Sequence, residues 1–246
     1  MNRRGNDWKS RRGTRAGRRY PLLVAASPPD PYFVRPRSPL GAPALAIVIV
    51  ALAASRVAPF DVATWWMEVA PIFLAVPILV LTRRRFPLTS LAVTLFAIHA
   101  IILMVGGHWS YARVPVGDWA RQTFHLARNP YDKLGHVAQG FVPAIVLREV
   151  LLRTSPLRPG KWLFALVTGF CLGISALYEL VEWMTALLMG SGADDFLGTQ
   201  GDAWDTQSDM FCALIGAIIA QLLLCRLHDR QLARLAEAHE PRPTSA

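Results

Sequence analysis

Residues 44–50 read Ala-Leu-Ala-Ile-Val-Ile-Val and form the centre of an apolar stretch that covers residues 40–58. A helix that spans a bilayer needs about 20 mostly apolar residues, with a range of roughly 17–25. Further stretches that qualify or nearly do lie at 63–81, 87–106, 134–152, 162–189 and 208–226. The chain is therefore predicted to be an all-α, polytopic integral membrane helical bundle with about six transmembrane helices.

The composition indicates that lipid, rather than water, surrounds most of this chain. Of its 246 residues, 53% are hydrophobic and 17% are charged, whereas soluble proteins contain about 25% charged residues. The three cysteines lie in apolar runs without a CxxC pair, which is typical of small buried side chains rather than of a disulfide framework. Pro71, Pro77 and Pro143 fall inside predicted spans, where neighbouring helices satisfy the freed backbone groups.

Charge and hydropathy divide the chain into three parts. Residues 1–39 hold ten Lys and Arg against two Asp, and a tail of this composition buries too little apolar surface to fold. We predict a basic, Pro/Arg-rich disordered cytoplasmic tail at 1–39, a six-helix transmembrane domain at 40–227 and a short polar cytoplasmic tail at 228–246. Residues 227–240 are predicted to form a short polar helix. Besides the bilayer itself, the predicted partner of the basic tail is anionic lipid headgroups, not nucleic acid, because no aromatic residues are interleaved with its charges.

Loop charges predict the orientation, because short cytoplasmic loops are enriched in Lys and Arg. Such residues occur in the N-terminal tail and at 83–85, 153–161 and 226–234, and six spans place these four segments on one side. The loop at 107–133 departs from this pattern, with Arg113, Arg121, Arg128 and Lys133. The balance predicts that both termini are cytoplasmic.

The 64 residues between Lys161 and Arg226 contain no Lys, Arg or His, yet they contain seven carboxylates. These are Glu179, Glu182, Asp194, Asp195, Asp202, Asp205 and Asp209. Glu179 and Glu182 lie inside the fifth predicted span and, three residues apart, share one helix face. Ionisable groups within a span are costly and usually face the bundle interior, so this pair is a candidate functional site.

The start of the fourth predicted span supplies partners for these carboxylates. Asp132, His136 and Gln139 are spaced i, i+4, i+7 and so share one helical face. A His with several carboxylates at one depth is a plausible ligand set for a divalent metal and equally a general acid–base group. The hypothetical metal ligands are His136, Glu179, Glu182, Asp202, Asp205 and Asp209. The candidate catalytic residues are Glu179, Glu182 and His136, and the candidate substrate-binding residues are Gln139, Gln200, Gln207 and Lys133. His99 is a further candidate.

Structural roles compete with these interpretations. The three aspartates at 202, 205 and 209 suit the N-terminus of a helix, whose dipole favours negative charge. His136 has the alternative of a hydrogen bond between helices, and the two glutamates that of a network with Lys133 or Arg148. At the cytoplasmic end of the fourth span, snorkelling explains Arg148 and Glu149. The pair Gly169 and Gly173 indicates close helix packing.

Three motifs carry a resemblance to a known family. They are Tyr131-Asp132-Lys133-x-Gly135-His136-x-x-Gln139-Gly140-Phe141, Tyr178-Glu179-x-x-Glu182-Trp183, and Phe196-Leu197-Gly198-Thr199-Gln200-Gly201-Asp202-x-Trp204-Asp205-Thr206-Gln207-x-Asp209-Met210. Over roughly residues 60–227 the chain resembles the YjdF-like family of bacterial inner-membrane proteins. The resemblance implies a multi-pass protein of the bacterial inner membrane and implies no particular reaction. The short pattern Asp132-Lys133-x-x-His136 is also similar to VanZ-like membrane proteins, but five positions are too few to carry a function over.

Three functions remain open from the sequence. The first is a metal-assisted enzyme that acts on a lipid or envelope precursor at the extracytoplasmic side of the bundle. The second is a proton- or cation-coupled transporter that uses the same carboxylates as a relay. The third is a non-catalytic membrane protein whose polar network only holds its helices together.

Overall fold

The structure, a computed structural model, describes residues 41–189 and 200–237. Within these ranges the chain forms seven α-helices, one 3₁₀ turn at Tyr111–Arg113 and no strand. The helices are α1 Gly41–Ser55, α2 Val62–Thr82, α3 Ser90–Trp109, α4 Pro115–Thr123, α5 Tyr131–Thr154, α6 Lys161–Met189 and α7 Asp205–Glu237.

Five of these helices, α2, α3, α5, α6 and α7, are long and apolar enough to cross a membrane. The all-α, polytopic prediction is confirmed. The first predicted span corresponds to α1, an apolar helix of 15 residues, which is shorter than the roughly 17–25 residues of a typical span. The predicted tail at 1–39 lies outside the described residues, so that boundary stays a prediction.

The last two predicted elements form a single helix. The sixth predicted span at 208–226 and the polar residues that follow it form one continuous helix, α7, of 33 residues. The start of the segment 228–246, predicted as a short polar tail, is therefore helical through Glu237. The remainder of that segment lies outside the described residues.

Two glycines bring α5 and α7 into direct backbone contact. A Cβ on Gly140 of α5 would overlap the carbonyl oxygen of Ala213, and one on Gly216 of α7 would overlap the carbonyl oxygen of Val137. Nothing lies within 4 Å of a Cβ built on Gly169 or Gly173. The close helix packing that the sequence suggested for this pair is therefore found between α5 and α7 instead.

Local signals set the beginnings of α2 and α3. Asp61 is the N-cap of α2, and its Oδ1 accepts a hydrogen bond of 2.7 Å from the backbone N–H of Thr64. That N–H is the main reason why the pKa of Asp61 lies below its ordinary value. Thr89 caps α3 by accepting from the N–H of Ala92. Such caps satisfy backbone donors that a helix start leaves open.

A buried polar network joins the start of α3, the end of α5 and the C-terminal half of α7. Glu149 accepts hydrogen bonds from the backbone and hydroxyl of Thr89 and, at 2.6 Å, from Arg153. Nε2 of His228 lies 3.2 Å from the same carboxylate, while Arg148 donates to Nδ1 of His228 and, at 2.6 Å, to Asp229. Because Arg148 and Glu149 are 4% and 0% exposed, the prediction that they snorkel to the interface is wrong.

Candidate functional site

The start of α5 is fixed from the loop side by Asn129, which is fully buried. Its side chain donates to the carbonyl of Val114 and accepts from the N–H of Tyr131, both at 3.0 Å. Gly117 leaves the space this side chain needs, since a Cβ there would overlap the Asn129 amide. The hydroxyl of Tyr131 donates to the carbonyl of Ile102 in α3. These hydrogen bonds therefore fix the orientation of the first turn of α5.

His136, in the second turn of α5, lies within a ring of acceptors. Its Nε2 is 3.5 Å from Oδ1 of Asp132 and 3.7 Å from Oδ1 of Asp209. Its Nδ1 is 3.1 Å from Oε1 of Gln139 and 3.8 Å from Oε1 of Glu179. Because an amide oxygen only accepts, Gln139 favours the tautomer with the proton on Nδ1. The two carboxylates around Nε2 also only accept, so they favour a proton on Nε2 as well, and a metal ion bound there would have to replace that proton.

Asp132, His136 and Asp209 fit a metal site on geometric grounds. All three residues are buried, and one ligand atom from each lies within 4.8 Å of the others. Ligand atoms at about 2.0–2.2 Å from one ion lie about 3–4 Å apart in a tetrahedral site. The two distances from Nε2 fall within that range, so these three side chains are candidate ligands of a divalent ion.

Two cations of the same region are already committed to carboxylates. Nζ of Lys133 lies 2.5 Å from Asp209 and 2.7 Å from Asp205, and Arg128 pairs with Asp205 at 2.5 Å and with Asp202 at 2.9 Å. Partial burial lowers the pKa of the Arg128 guanidinium, but these carboxylates outweigh that effect and raise it above its usual value. The two cations neutralise part of the acidic cluster at the start of α7.

In the described part of the chain, several buried polar side-chain atoms near this cluster and the adjoining helices form no hydrogen bond. Among the described side chains, the buried atoms that lack a hydrogen-bond partner are Oδ2 of Asp132, Oε1 of Glu179, Nε2 of His99 and Oγ of Ser175. A buried acceptor left without a partner costs about 1–3 kcal/mol, and more when it is charged. Oδ2 of Asp132 lies 3.5 Å from Nζ of Lys133, and Oε1 of Glu179 lies 3.8 Å from Nδ1 of His136, so each oxygen has an ionic neighbour but accepts no hydrogen bond from the described residues.

A cavity of about 370 Å³ opens from this cluster into the bundle between α2, α3, α5 and α6. Its polar end is lined by Glu68, Tyr111, Asp132, His136, Tyr178 and Glu182. Its other walls are apolar and include Ile72, Phe96, Leu103, Val142, Leu147 and Ile174. The volume and the few convergent polar groups are typical of a small-molecule site.

Glu68 is the functional residue that sequence reasoning missed. It lies in α2, is 6% exposed and faces the side chains of Tyr111 and Tyr178. Burial beside these groups also raises the pKa of the Tyr111 hydroxyl well above its usual value. The signal was present, because Glu68 is a lone carboxylate within a predicted span, and such residues mark functional sites by default.

The structure brings most of the predicted site residues to this end of the bundle, but in two groups. His136, Gln139, Glu179 and Asp209 lie together with Asp132, and Glu182 and His99 line the cavity. Asp205 reaches this group through Lys133, whereas Asp202 pairs with Arg128 and caps the N–H of Trp204. Asp202 therefore fits the capping alternative better than metal ligation.

The two glutamines of the predicted loop behave differently. Gln200 forms two hydrogen bonds with the backbone of Asn129, accepting at 3.0 Å and donating at 3.1 Å, so it ties the loop before α7 to the start of α5. Gln207 is exposed. Asp194 and Asp195 lie outside the described residues. Arg148 contacts Asp229 and His228 rather than the glutamates of α6, so that proposed network partner was wrong.

Comparisons with known proteins agree with this architecture. Residues 42–230 match the family described as "Predicted membrane protein (DUF2238)". The chain is similar to "Inner membrane protein YjdF" of Escherichia coli (strain K12), with 54% identity over 195 residues, which cover 79% of this chain and 93% of that protein. No solved structure matches the chain.

Proposed function

The chain belongs to the DUF2238 family of predicted membrane proteins, and from that premise we propose that it is a divalent-cation-dependent enzyme that acts on the headgroup of a lipid-like substrate. As a multi-pass protein of the bacterial inner membrane, it meets such substrates by lateral diffusion. In the proposed orientation both termini are cytoplasmic and the His136 cluster faces the extracytoplasmic side.

The observation that carries this proposal is the composition of the cavity walls. One end holds a buried histidine and several carboxylates, and the rest is apolar side chains of α2, α3, α5 and α6. A wholly polar solute gains little from apolar walls, whereas an amphiphile matches both parts. The headgroup is placed at the His136 cluster and the acyl chain along the apolar walls.

Asp132, His136 and Asp209 would hold the metal. When bound, a divalent ion would supply a Lewis acid for an ester or phosphoryl oxygen and would favour ionisation of a water molecule. Gln139 orients His136, as outer-shell partners of metal-bound histidines do. Glu182, which lines the cavity, is placed to accept the proton of the attacking water and to return it to the leaving oxygen.

The experiment is a cation-binding measurement followed by a turnover assay. The purified full chain is equilibrated with Mn²⁺ or Zn²⁺, and bound ion per chain is measured for the wild type, Asp132→Asn and the control Asp118→Asn. Asp118 belongs to an exposed ion pair with Arg121. We expect one site that Asp132→Asn removes and Asp118→Asn keeps. Equal binding by all three proteins would refute the metal site.

Turnover is then followed as headgroup release from vesicles of phosphatidylethanolamine and phosphatidylglycerol, with and without a chelator. Glu182→Gln is expected to retain the ion and to lose at least about 100-fold in rate, which is the lower range for a general base. Activity that survives both the chelator and Glu182→Gln would refute the catalytic assignment.

One observation favours a second function, proton- or cation-coupled transport. Pro71 of α2 and Pro143 of α5 both line the cavity, and proline removes a backbone hydrogen bond at a point where a helix can bend. A transporter predicts cation-dependent flux into vesicles that Glu182→Gln abolishes, together with no headgroup release. The two assays therefore separate the alternatives.

A further inference from the structure

A second concave surface lies at the other end of the bundle, between α1, α2 and α3. This cleft, of about 700 Å³, has mostly apolar walls that include Ala44, Leu45, Val48, Val76, Leu79, Phe86, Val93 and Ala97. Arg83 and Arg84 line the same cleft, in the turn that follows α2. Within the described ranges, no ion pair involves either guanidinium.

Apolar walls with two guanidinium groups at one end indicate the chemical class of the ligand that fits this cleft. Guanidinium groups bind phosphate oxygens with paired hydrogen bonds, and apolar walls in a bilayer contact acyl chains. The third residue of the basic run, Arg85, does not line the cleft. Arg83 and Arg84 therefore differ from Arg85 in lining the cleft, whereas all three residues carry the same charge.

We propose that this cleft binds an anionic phospholipid, with its phosphate on Arg83 and Arg84 and an acyl chain along the apolar walls that α1, α2 and α3 form. Phe96 lines both this cleft and the cavity at the other end of the bundle, so the acyl chain ends beside the wall of that cavity. The site does not depend on the proposed enzymatic function, because it shares no ionisable residue with the His136 cluster.

Charge complementarity selects the lipid over the chain's own N-terminal segment. Residues 1–39 carry ten Lys and Arg against two Asp, so that segment brings positive charge to two arginines. An anionic lipid brings the opposite charge. On the cytoplasmic leaflet, each basic side chain near the surface adds attraction for such lipids.

The first test measures lipid binding to the purified full chain by native mass spectrometry, with phosphatidylglycerol and phosphatidylcholine titrated separately. We expect phosphatidylglycerol to bind more tightly than phosphatidylcholine. Arg83→Gln and Arg84→Gln should each weaken phosphatidylglycerol binding about fivefold, the effect of one surface cation. Arg85→Gln is the matched control and should leave binding unchanged.

The second test fills the cleft without changing charge. Ala44→Phe places a ring in this cleft, whereas Ala46→Phe places the same ring on the exposed face of α1. Only Ala44→Phe should weaken binding, with the melting temperature of both variants close to that of the wild type. The proposal fails if Arg85→Gln matches Arg83→Gln, if phosphatidylcholine binds equally, or if Ala44→Phe has no effect. It also fails if binding appears only after deletion of residues 1–39.

Discussion

Nε2 of His136 in α5 lies 3.7 Å from Oδ1 of Asp209 in α7, and the ammonium group of Lys133 lies 2.5 Å from that same oxygen. One carboxylate oxygen is thus shared by a histidine and a lysine from successive turns of one helix. A divalent ion at the proposed site would compete with the lysine for this oxygen. We therefore expect Lys133 to influence both the stability of the cluster and the cation affinity of the proposed site.

Lys133→Met should separate these two effects. Removing one partner of a buried ion pair costs about 3–5 kcal/mol. Because the Lys133 side chain is 20% exposed, we expect about 1–3 kcal/mol, seen as a lower melting temperature in detergent. The affinity for Mn²⁺, measured by electron paramagnetic resonance, should rise at least about tenfold because a competing charge is gone. Lys161→Met, at the exposed start of α6, is the control. Lower Mn²⁺ affinity in Lys133→Met would contradict the competition.

Gln139→Leu tests the orientation of His136. The change removes the acceptor for Nδ1 while leaving both aspartates in place. Loss of such an outer-shell partner typically lowers metal affinity 10–100-fold, and equilibrium dialysis against Zn²⁺ measures this directly. Gln207→Leu changes an exposed glutamine of the same end of the bundle and should keep wild-type affinity. If both variants bind alike, Gln139 does not position the histidine.

Gly140→Ala tests the contact between α5 and α7. Its Cβ would meet the backbone of Ala213, which cannot move like the end of a side chain. Overpacking costs about 1–3 kcal/mol, and a forced separation of the two helices also moves Asp209 away from His136. We expect a lower melting temperature together with weaker cation binding. Gly169→Ala meets open space and should change neither quantity. A neutral Gly140→Ala would show that the helices are not in backbone contact.

The network around Glu149 should be mainly structural. Glu149→Gln leaves Arg153 and the hydrogen bonds of Thr89 without their carboxylate, so we expect about 3–5 kcal/mol of destabilisation. Asp229→Asn alters an ion pair in which Asp229 is 40% exposed but Arg148 only 5% exposed. Because Arg148 keeps its hydrogen bond to His228, we expect a smaller cost, about 1–3 kcal/mol. Thermal melts of both variants measure the contrast. Comparable melting temperatures would exclude Glu149 as the centre of the network.

Asp61 gives a prediction about pH. A carboxylate whose pKa is lowered on folding stabilises the protein above its unfolded-state pKa, about 4, and loses that contribution as the pH falls through the folded-state value. Asp61→Ala should therefore cost about 0.5–2 kcal/mol at pH 7 and much less at about pH 3. Melts of wild type and variant at both pH values provide the measurement. A cost that is the same at both would show that the cap does not depend on ionisation.

The spanning helices were predictable because a span needs only sufficient length and apolarity, and the residues of α2, α3, α5, α6 and α7 meet both conditions without tertiary information. The cluster was predictable in outline because Asp132, His136 and Gln139 share a helix face and carboxylates in a span must face inward. The sequence did not predict which carboxylates lie next to His136, since that depends on the rotation of α6 and α7 about their axes. Backbone contact at Gly140 and Gly216 sets the position of Asp209, and neither glycine belongs to a recognisable spaced pair.

The polar contacts at the C-terminal end of α5 were likewise not predictable from the sequence. Arg148 and Glu149 were interpreted from their position near a span terminus, where long side chains usually reach water. The structure instead pairs them with Asp229 and His228 because α7 continues past the predicted end of the span. The sequence indicates a polar helix at 227–240, but an apolarity window does not show that this helix continues the span without a break.

The uninterrupted length of α7 has a consequence for how this protein responds to its bilayer. From Asp209 to His228 the helix rises about 28 Å at 1.5 Å per residue, close to the roughly 30 Å of a typical hydrocarbon core. Because α7 is one continuous helix, the distance between its two charged ends is fixed. A membrane several ångströms thicker would draw one of them into hydrocarbon, so bilayer thickness itself should tune the occupancy of the His136 cluster.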